Sequence, residues 1–185
     1  QFDGPMGVAI GPSTSNTSTD PLLFVTDFWN NRVQVFNAKT FAYVRTIGSG
    51  YGKGPGQLWS PYGICIGNVL PPSNNTGTNS YSAEYPIFVV DNCNNRISVF
   101  NAASGSFIRT IGGPGQLTEP WGVYYHPAGA GCSNPNGDPH IYVADFGGKI
   151  VAIFNANSGA IVRHIDVGLP TSFVIPATTP DFDNF

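Results

Sequence analysis

One segment occurs three times along this chain, and an internal repeat constrains a fold more than any other sequence feature. The copies read FVTDFWNNRVQVFNAKTFAYVRTIG (24–48), FVVDNCNNRISVFNAASGSFIRTIG (88–112) and YVADFGGKIVAIFNANSGAIVRHID (142–166). An aspartate, a phenylalanine and an arginine recur at intervals of 64 and then 54 residues: Asp27, Asp91 and Asp145; Phe36, Phe100 and Phe154; Arg45, Arg109 and Arg163. We therefore expect three copies of one structural unit.

A second shared piece precedes each copy. It reads QFDGPMGVAIGP (1–12), GPGQLWSPYGICIG (54–67) and GPGQLTEPWGVYYHP (113–127), and a fourth version begins as GLPTSFVIPATTP (168–180). The repeats therefore cover residues 1–48, 54–112, 113–167 and 168–185, the last being incomplete, within a single domain over residues 1–185. We expect the chain to be cut inside a repeat at both ends.

Each repeat predicts four short strands. The first follows a proline, at residues 8–10, 64–66 and 123–125, and the second is the aromatic-led run that ends at the aspartate. The third shows the period-two alternation of a strand in RVQVF (32–36), and the fourth is YVRTI (43–47). The Asp-x-x-Asn-Asn-Arg sequence between the second and third strands favours a hairpin, because Asp and Asn bond nearby backbone N–H groups and tolerate left-handed conformations.

The third copy departs from this hairpin sequence. GGKI (147–150) stands where the other copies end in Asn-Asn-Arg, so Ile150 occupies the place of Arg32 and Arg96. We therefore expect a hairpin of different shape in the third repeat.

Composition supports an all-β fold. Charged residues make up only 10% of the chain, which contains 23 glycines and 16 prolines, a mixture that favours strands joined by many turns. Four antiparallel strands per unit are typical of a β-propeller blade, in which each small sheet packs on its neighbours. The predicted fold is a β-propeller of four-stranded antiparallel blades: about three blades plus the first strand of a fourth, as part of a larger propeller.

The repeat resembles a known family. GPGQL followed by P(W/Y)G(I/V), then (F/Y)V(V/A/T)D with NNR(I/V)xVF, and a closing (V/I)RTIG are similar to the NHL repeat, and the resemblance covers nearly the whole chain. It implies a six-bladed propeller, of which this chain would form a part. Because the NHL repeat serves unrelated functions, the resemblance implies a fold more than an activity.

The resemblance also raises an enzymatic alternative. The lyase that completes peptide amidation is built on this repeat and holds its metal with histidines from several blades near the propeller axis. Here His126 follows a first strand, His140 precedes a second and His164 lies in a fourth, so no two occupy equivalent positions. We assign no catalytic, metal or cofactor residues and predict no cofactor, and we keep a metal-dependent lyase or hydrolase as the alternative function.

The charge pattern argues against a nucleic-acid partner. Eight Lys and Arg stand against eleven Asp and Glu, for a net charge of −3, whereas phosphate binding needs clustered basic residues. Five of the eight basic residues are repeat arginines, which we interpret as structural: Arg32, Arg45, Arg96, Arg109 and Arg163. No apolar run reaches the roughly 18 residues that cross a bilayer, so we predict no membrane span.

Three insertions lengthen the connection between the first and second strands, at 11–21, 68–86 and 127–139, and we expect them on one face of the propeller. Two contain acceptor sequons for N-linked glycans, which would be attached to Asn16 and Asn74. Sugars would solubilise a surface with few charges. The sequence therefore predicts an extracellular or cell-surface glycoprotein.

Three cysteines leave one unpaired if a disulfide forms. We expect Cys65 in the core and consider a bridge between Cys93 and Cys132. In a propeller the two loops that hold this pair project from opposite faces, which disfavours the bridge. No CxxC spacing indicates zinc.

Six aromatic residues fall in or beside turns on the face opposite the insertions: Phe28, Trp29, Trp59, Tyr62, Trp121 and Phe146. We expect some of them to pack between blades and the rest to form a surface that binds a protein or carbohydrate partner.

The predicted function is a non-enzymatic extracellular interaction or structural module within a cell-surface or fibrous assembly. Three blades and one strand do not close a ring, and an open stack exposes sheet faces that need a cover. Either further blades of a longer protein complete the ring, which we favour, or identical chains complete each other as a homo-oligomer or filament.

Overall fold

The computed structural model describes residues 1–12, 20–68, 85–129 and 137–166. These residues form three four-stranded antiparallel sheets, in each of which neighbouring strands are consecutive in sequence. The strands are β1 (Pro5–Gly11), β2 (Leu22–Asp27), β3 (Arg32–Asn37) and β4 (Tyr43–Ile47) in the first sheet; β5 (Pro61–Ile66), β6 (Pro86–Asp91), β7 (Arg96–Asn101) and β8 (Phe107–Ile111) in the second; β9 (Pro120–His126), β10 (His140–Asp145), β11 (Ile150–Asn155) and β12 (Ile161–Ile165) in the third. Within these ranges the only helical element is a 3-10 turn at Asn92–Asn94. The predicted all-β fold is confirmed.

The three sheets share one strand register. In each sheet the repeat aspartate lies opposite the first residue of the third strand: Asp27 opposite Arg32, Asp91 opposite Arg96 and Asp145 opposite Ile150. The first strands are longer than predicted because each begins at the proline of its motif: Pro5, Pro61 and Pro120. Proline suits the first position of a strand, where no ladder hydrogen bond requires its missing N–H.

The three hairpins between second and third strands have the same length and end in the same conformation. The last loop residue adopts a left-handed conformation in every sheet, with φ of 52° at Asn31, 53° at Asn95 and 55° at Lys149. The expectation of a differently shaped third hairpin is therefore wrong. The glycines at 147 and 148 change the side chains of that loop and leave its length and final conformation unchanged.

The sheets stack face to face around two apolar cores. The first core lies between the first and second sheets and contains Leu22, Phe24, Val33, Val35, Ile47, Leu58, Ile64, Ile87, Val89 and Phe100, with Ala102. The second core lies between the second and third sheets and contains Phe88, Val90, Ile97, Val99, Ile111, Leu117, Ile141, Val143, Ala152 and Phe154, with Ala156. Each sheet thus packs like a propeller blade, and the three described sheets form an open stack.

The first strands of adjacent sheets approach one another most closely at a glycine. A Cβ atom on Gly63 would lie 2.6 Å from the carbonyl oxygen of Trp121 in the next sheet, so no side chain fits there. The fully buried Thr26 hydroxyl donates a 2.6 Å hydrogen bond to the carbonyl oxygen of Tyr62 across the preceding junction. This close approach explains the glycine of the P(W/Y)G motif.

Loop placement follows from the antiparallel order of the strands. The insertions join β1 to β2, β5 to β6 and β9 to β10, so they lie at the ends of the sheets opposite the β2–β3, β6–β7 and β10–β11 hairpins. The central residues of the insertions lie outside the described ranges. In the described part of the chain, no helix has the length and apolar character needed to cross a membrane.

Candidate functional site

A buried carboxylate organises the hairpin end of each sheet. Asp91, which is fully buried, accepts hydrogen bonds from Trp59 N–H at 2.8 Å and from Arg96 Nε at 2.7 Å. Its oxygens also accept bonds from Asn94 Nδ2 at 2.9 and 3.0 Å and from Ser98 Oγ at 3.1 Å. This carboxylate therefore ties the hairpin to the loop that leads into β5.

The first sheet repeats this arrangement. Asp27 accepts hydrogen bonds from Asp3 N–H at 2.7 Å, Asn30 Nδ2 at 3.0 Å and Arg32 Nε at 2.8 Å. Burial by itself raises the pKa of the Asp27 carboxyl, but the bonds from Asp3, Arg32 and Asn30 together lower that pKa below its ordinary value of 3.8. The repeat Asp and Arg are thus structural here, as interpreted from their recurrence.

The third sheet replaces charged and amide donors with backbone donors. Asp145 accepts hydrogen bonds from the N–H groups of Thr118 at 2.9 Å, Glu119 at 2.7 Å and Gly148 at 3.3 Å. The position of the arginine is taken by Ile150, which donates no side-chain hydrogen bond. The carboxylate still fastens the hairpin to the loop before β9.

These anchored loops carry aromatic side chains. Trp29 N–H donates to the carbonyl oxygen of Asp3, and Phe146 N–H donates to that of Glu119, each at 3.0 Å. Backbone hydrogen bonds therefore hold the hairpin aromatics of the first and third sheets beside the entrances to β1 and β9.

Five aromatic side chains form one continuous line across the three sheets. We call this line the aromatic ribbon: Trp29, Phe28, Tyr62, Trp121 and Phe146. Successive ring centroids lie 4.7, 6.0, 5.5 and 4.3 Å apart in that order. The Phe28–Tyr62 and Tyr62–Trp121 contacts cross from one sheet to the next.

The rings of the ribbon meet in two different ways. The first two contacts are edge-to-face, with interplanar angles of 88°, whereas Tyr62, Trp121 and Phe146 stack with interplanar angles of 13°. Trp29 and Phe146, at the two ends, are 65% and 60% exposed, and Trp121 is 38% exposed. The carboxylate of Glu119 accepts a 3.4 Å bond from Trp121 Nε1, which places an acidic group on the ribbon.

Trp59, the sixth predicted surface residue, belongs to a separate cluster in the loop before β5. Its ring lies 5.3 Å from that of Tyr51, and Lys53 Nζ lies 5.5 Å from its centroid, within cation–π range. Among the described residues no ring contact joins Trp59 to the ribbon. The contact of Lys53 with Trp59 was not predicted, although a lysine six residues before a tryptophan in a glycine-rich loop could have indicated a cation–π pair.

Other predicted sites fall partly outside the described residues. Asn16, Asn74 and Cys132 lie there, so glycosylation and the bridge from Cys93 to Cys132 stay predictions. Cys93 is exposed in the 3-10 turn. Burial raises the pKa of the Cys65 thiol to about 12, against a smaller lowering by a hydrogen bond with the Tyr125 backbone, so Cys65 is not a reactive thiolate at neutral pH.

The histidines lie in one sheet. His126 at the end of β9 stands directly opposite His140 at the start of β10, a pairing that the sequence analysis missed although both residues flank the same insertion. His164 lies on β12. No cluster of three or more His, Cys, Asp or Glu side chains suited to a metal occurs among the described residues.

Comparisons with known proteins bear on the fold alone. No protein-family profile matches the sequence, and no curated protein matches it. Among solved structures, a chain of Kuenenia stuttgartiensis hydrazine synthase is 16% identical with a TM-score of 0.53, over 86% of this chain and 36% of that one. A chain from the crystal structure of BBS1N in complex with ARL6DN, soaked with lead, is 11% identical with a TM-score of 0.60, over 90% of this chain and 45% of that one. This chain thus spans less than half the length of either.

Proposed function

We propose that this chain is an arc of a β-propeller of the NHL-repeat kind that binds a protein partner through the aromatic ribbon and catalyses no reaction itself. The common register of the three sheets, their face-to-face packing and the NHL-like motifs support the propeller. The continuity of the ribbon carries the binding role, because five rings from three sheets form one line on the hairpin ends.

Packing alone does not account for the ribbon. Tyr62 packs against the second core, but neither core contains Trp29, Trp121 or Phe146. Large aromatic side chains exposed together in one patch are a common feature of protein-binding surfaces, where Trp and Tyr contribute much of the affinity. The ribbon has this composition.

The ring geometry favours a polypeptide over a carbohydrate. A sugar stacks on a free aromatic face, but the Trp121 ring already stacks with both Tyr62 and Phe146. The edges of the stacked rings carry the positive part of the aromatic quadrupole and attract carbonyl oxygens. With the Glu119 carboxylate beside them, these edges suit an extended segment that has basic and apolar side chains.

The extracellular location is a further part of the proposal. It rests on the sequons at Asn16 and Asn74, and the expected observation is a fall in intact mass when the secreted protein is treated with an N-glycosidase. An unchanged mass would remove the glycan from the proposal and leave the ribbon untouched.

A binding screen tests the ribbon directly. Random peptides displayed on phage and an array of free glycans are offered to the same protein, followed by W29A, W121A and the double variant. We expect selected peptides to lose at least about tenfold in affinity with W121A, consistent with a hot-spot tryptophan. Peptide binding unchanged in the double variant, or binding of glycans alone, would contradict the proposal.

Tyr124→Ala is the matched control. Tyr124 lies on β9 like Trp121, is 61% exposed and makes none of the ribbon's ring contacts. Affinity for the selected peptides should therefore be unchanged in this variant.

A further inference from the structure

At one end of the stack, the first sheet exposes a face whose equivalent is buried in the second sheet. We call the side of a sheet that packs on the preceding sheet its incoming face. On the second sheet this face includes Ile64 and Ile66, which pack into the first core, and Ile64 is only 8% exposed. Their counterparts on the first sheet, Val8 and Ile10, are both 67% exposed. The incoming face of the first sheet is therefore uncovered by the described residues.

The other end of the stack shows the complementary face. We call the side that packs on the following sheet the outgoing face. The last residues of β4 and β8, Ile47 and Ile111, are 1% and 2% exposed because the following sheet covers them. Ile165 holds the same position on β12 and is 40% exposed. One end of the described stack thus presents the half of the junction that its other end lacks.

An arginine accompanies each outgoing face. Arg45 donates to the carbonyl oxygen of Ala102 in the next sheet, and Arg109 donates to those of Ala156 and Asn157. The third copy, Arg163, is exposed and makes no hydrogen bond or ion pair with another described residue. Within the described stack, Arg163 thus lacks the carbonyl acceptors that Arg45 and Arg109 have.

We propose that the outgoing face of the third sheet docks on the incoming face of the first sheet of a second copy of this chain. The two internal junctions are the template, because they already join these faces in this order. Arg163 of one copy would then donate to the carbonyl oxygen of Ala38 in the other, the position equivalent to Ala102 and Ala156. The contact is head-to-tail, so its repetition gives a closed ring or a filament.

A pocket on the incoming face supports this docking. It has a volume of about 420 Å³, and Phe2, Phe36 and Tyr43 form its apolar lining. In the second sheet the residues equivalent to Phe36 and Tyr43 are Phe100 and Phe107, which lie in or against the first core. An outgoing face therefore fills the equivalent space within the chain.

One position sets the new junction apart from the internal ones. A Cβ on Gly105 would lie 3.2 Å from Cγ1 of Ile47, and Phe41 stands in the place of Gly105 on the first sheet. The Cβ of Phe41 alone therefore requires Ile165 of the second copy to shift by a few tenths of an ångström. In return the junction buries the Phe41 ring, which is 72% exposed.

Two charge variants test the head-to-tail contact by sedimentation velocity on the full chain. Val8→Glu with Ile10→Glu blocks the incoming face, and Ile165→Glu with Arg163→Glu blocks the outgoing face. We expect the wild-type chain to associate, each variant alone to be monomeric, and an equimolar mixture to form a 1:1 heterodimer, because one intact junction remains. A monomeric wild-type chain, or a variant that still self-associates, would overturn the proposal.

Ile108→Glu is the matched control for Ile165→Glu. Both isoleucines lie on edge strands and both are 40% exposed, but Ile108 belongs to the middle sheet. This variant should associate like the wild type. Loss of association in it would show that added charge alone disperses the chain and would contradict the proposed interface. The proposal does not depend on the aromatic ribbon.

Discussion

Arg45 in the first sheet donates a hydrogen bond from its guanidinium group to the main-chain carbonyl oxygen of Ala102 in the second sheet. Arg109 repeats this contact one sheet further on, with the carbonyl oxygens of Ala156 and Asn157. Burial lowers the pKa of both arginines. Adjacent sheets are therefore joined by charge-assisted hydrogen bonds as well as by apolar cores, and the repeat arginine is a link between units.

Arg109→Met should destabilise the protein. Methionine keeps the apolar stem of the side chain but removes the donors to two carbonyl groups, and hydrogen bonds from a charged group contribute about 1.5 to 3 kcal/mol. Urea unfolding should show a fall in the free energy of unfolding of that size. Lys39→Ala is the control, because the Lys39 side chain is 76% exposed and 3.8 Å from Asp20, and it should cost no more than about 0.5 kcal/mol. Equal costs for the two variants would contradict the linking role.

The buried carboxylates of the second and third sheets should differ in their contributions. Asp91→Ala removes the carboxylate that accepts from Arg96 Nε and Asn94 Nδ2, although both side chains keep backbone carbonyl acceptors. Removing one partner of a buried ion pair costs about 3 to 5 kcal/mol. Asp145→Ala removes the acceptor of backbone N–H groups only, and the expected loss of stability is about 1 to 3 kcal/mol. The two variants should therefore rank in that order by chemical denaturation. A larger loss from Asp145→Ala would show that the arginine contact is dispensable.

Much of the fold could be predicted because each repeat supports the others. The period-two pattern, the proline at the first strand and the Asp-to-Arg hairpin occur in register, so a weak signal in one copy is reinforced by two more. The prediction failed at the third hairpin, where the presence of two glycines suggested a different backbone shape. The left-handed position stayed at Lys149, since the register of β10 and β11 dictates the length of the loop.

The site was less predictable, because it depends on contacts between sheets. Trp121 and Tyr62 are far apart in sequence and meet only because glycine brings the first strands of adjacent sheets together. In the same way the acceptor for Arg45 lies 57 residues downstream, in the Asn-Ala-x-Ser turn of the next repeat, and the motif does not indicate which side chain binds its carbonyl oxygen. The six aromatics were predicted from their positions in or beside turns. Only the three-dimensional structure separates Trp59, which contacts Tyr51, from the five residues of the ribbon.

Acid should weaken the first sheet through Asp27. Its folded-state pKa lies below the ordinary 3.8, so the unfolded chain takes up the proton first as the pH falls. The stabilisation is complete above the unfolded pKa and is lost as the pH falls through the folded pKa. Asp27→Asn should therefore be less stable than the wild type at neutral pH, and the difference should shrink below about pH 4. Urea unfolding of both proteins across this range measures it, and a constant difference would show that this carboxylate is not the group that titrates.

Lys149 should be replaceable with a gain in stability. It is a non-glycine residue at φ 55°, a conformation that costs an L-residue about 1 to 2 kcal/mol and that asparagine, present at the two equivalent positions, tolerates better. Lys149→Gly should raise the free energy of unfolding by about 1 kcal/mol, and Lys149→Asn by about half as much. Lys39→Gly is the control at a lysine without positive φ, where glycine should cost about 0.5 to 1 kcal/mol. If both glycine variants lose stability, the hairpin of the third sheet carries no strain at Lys149.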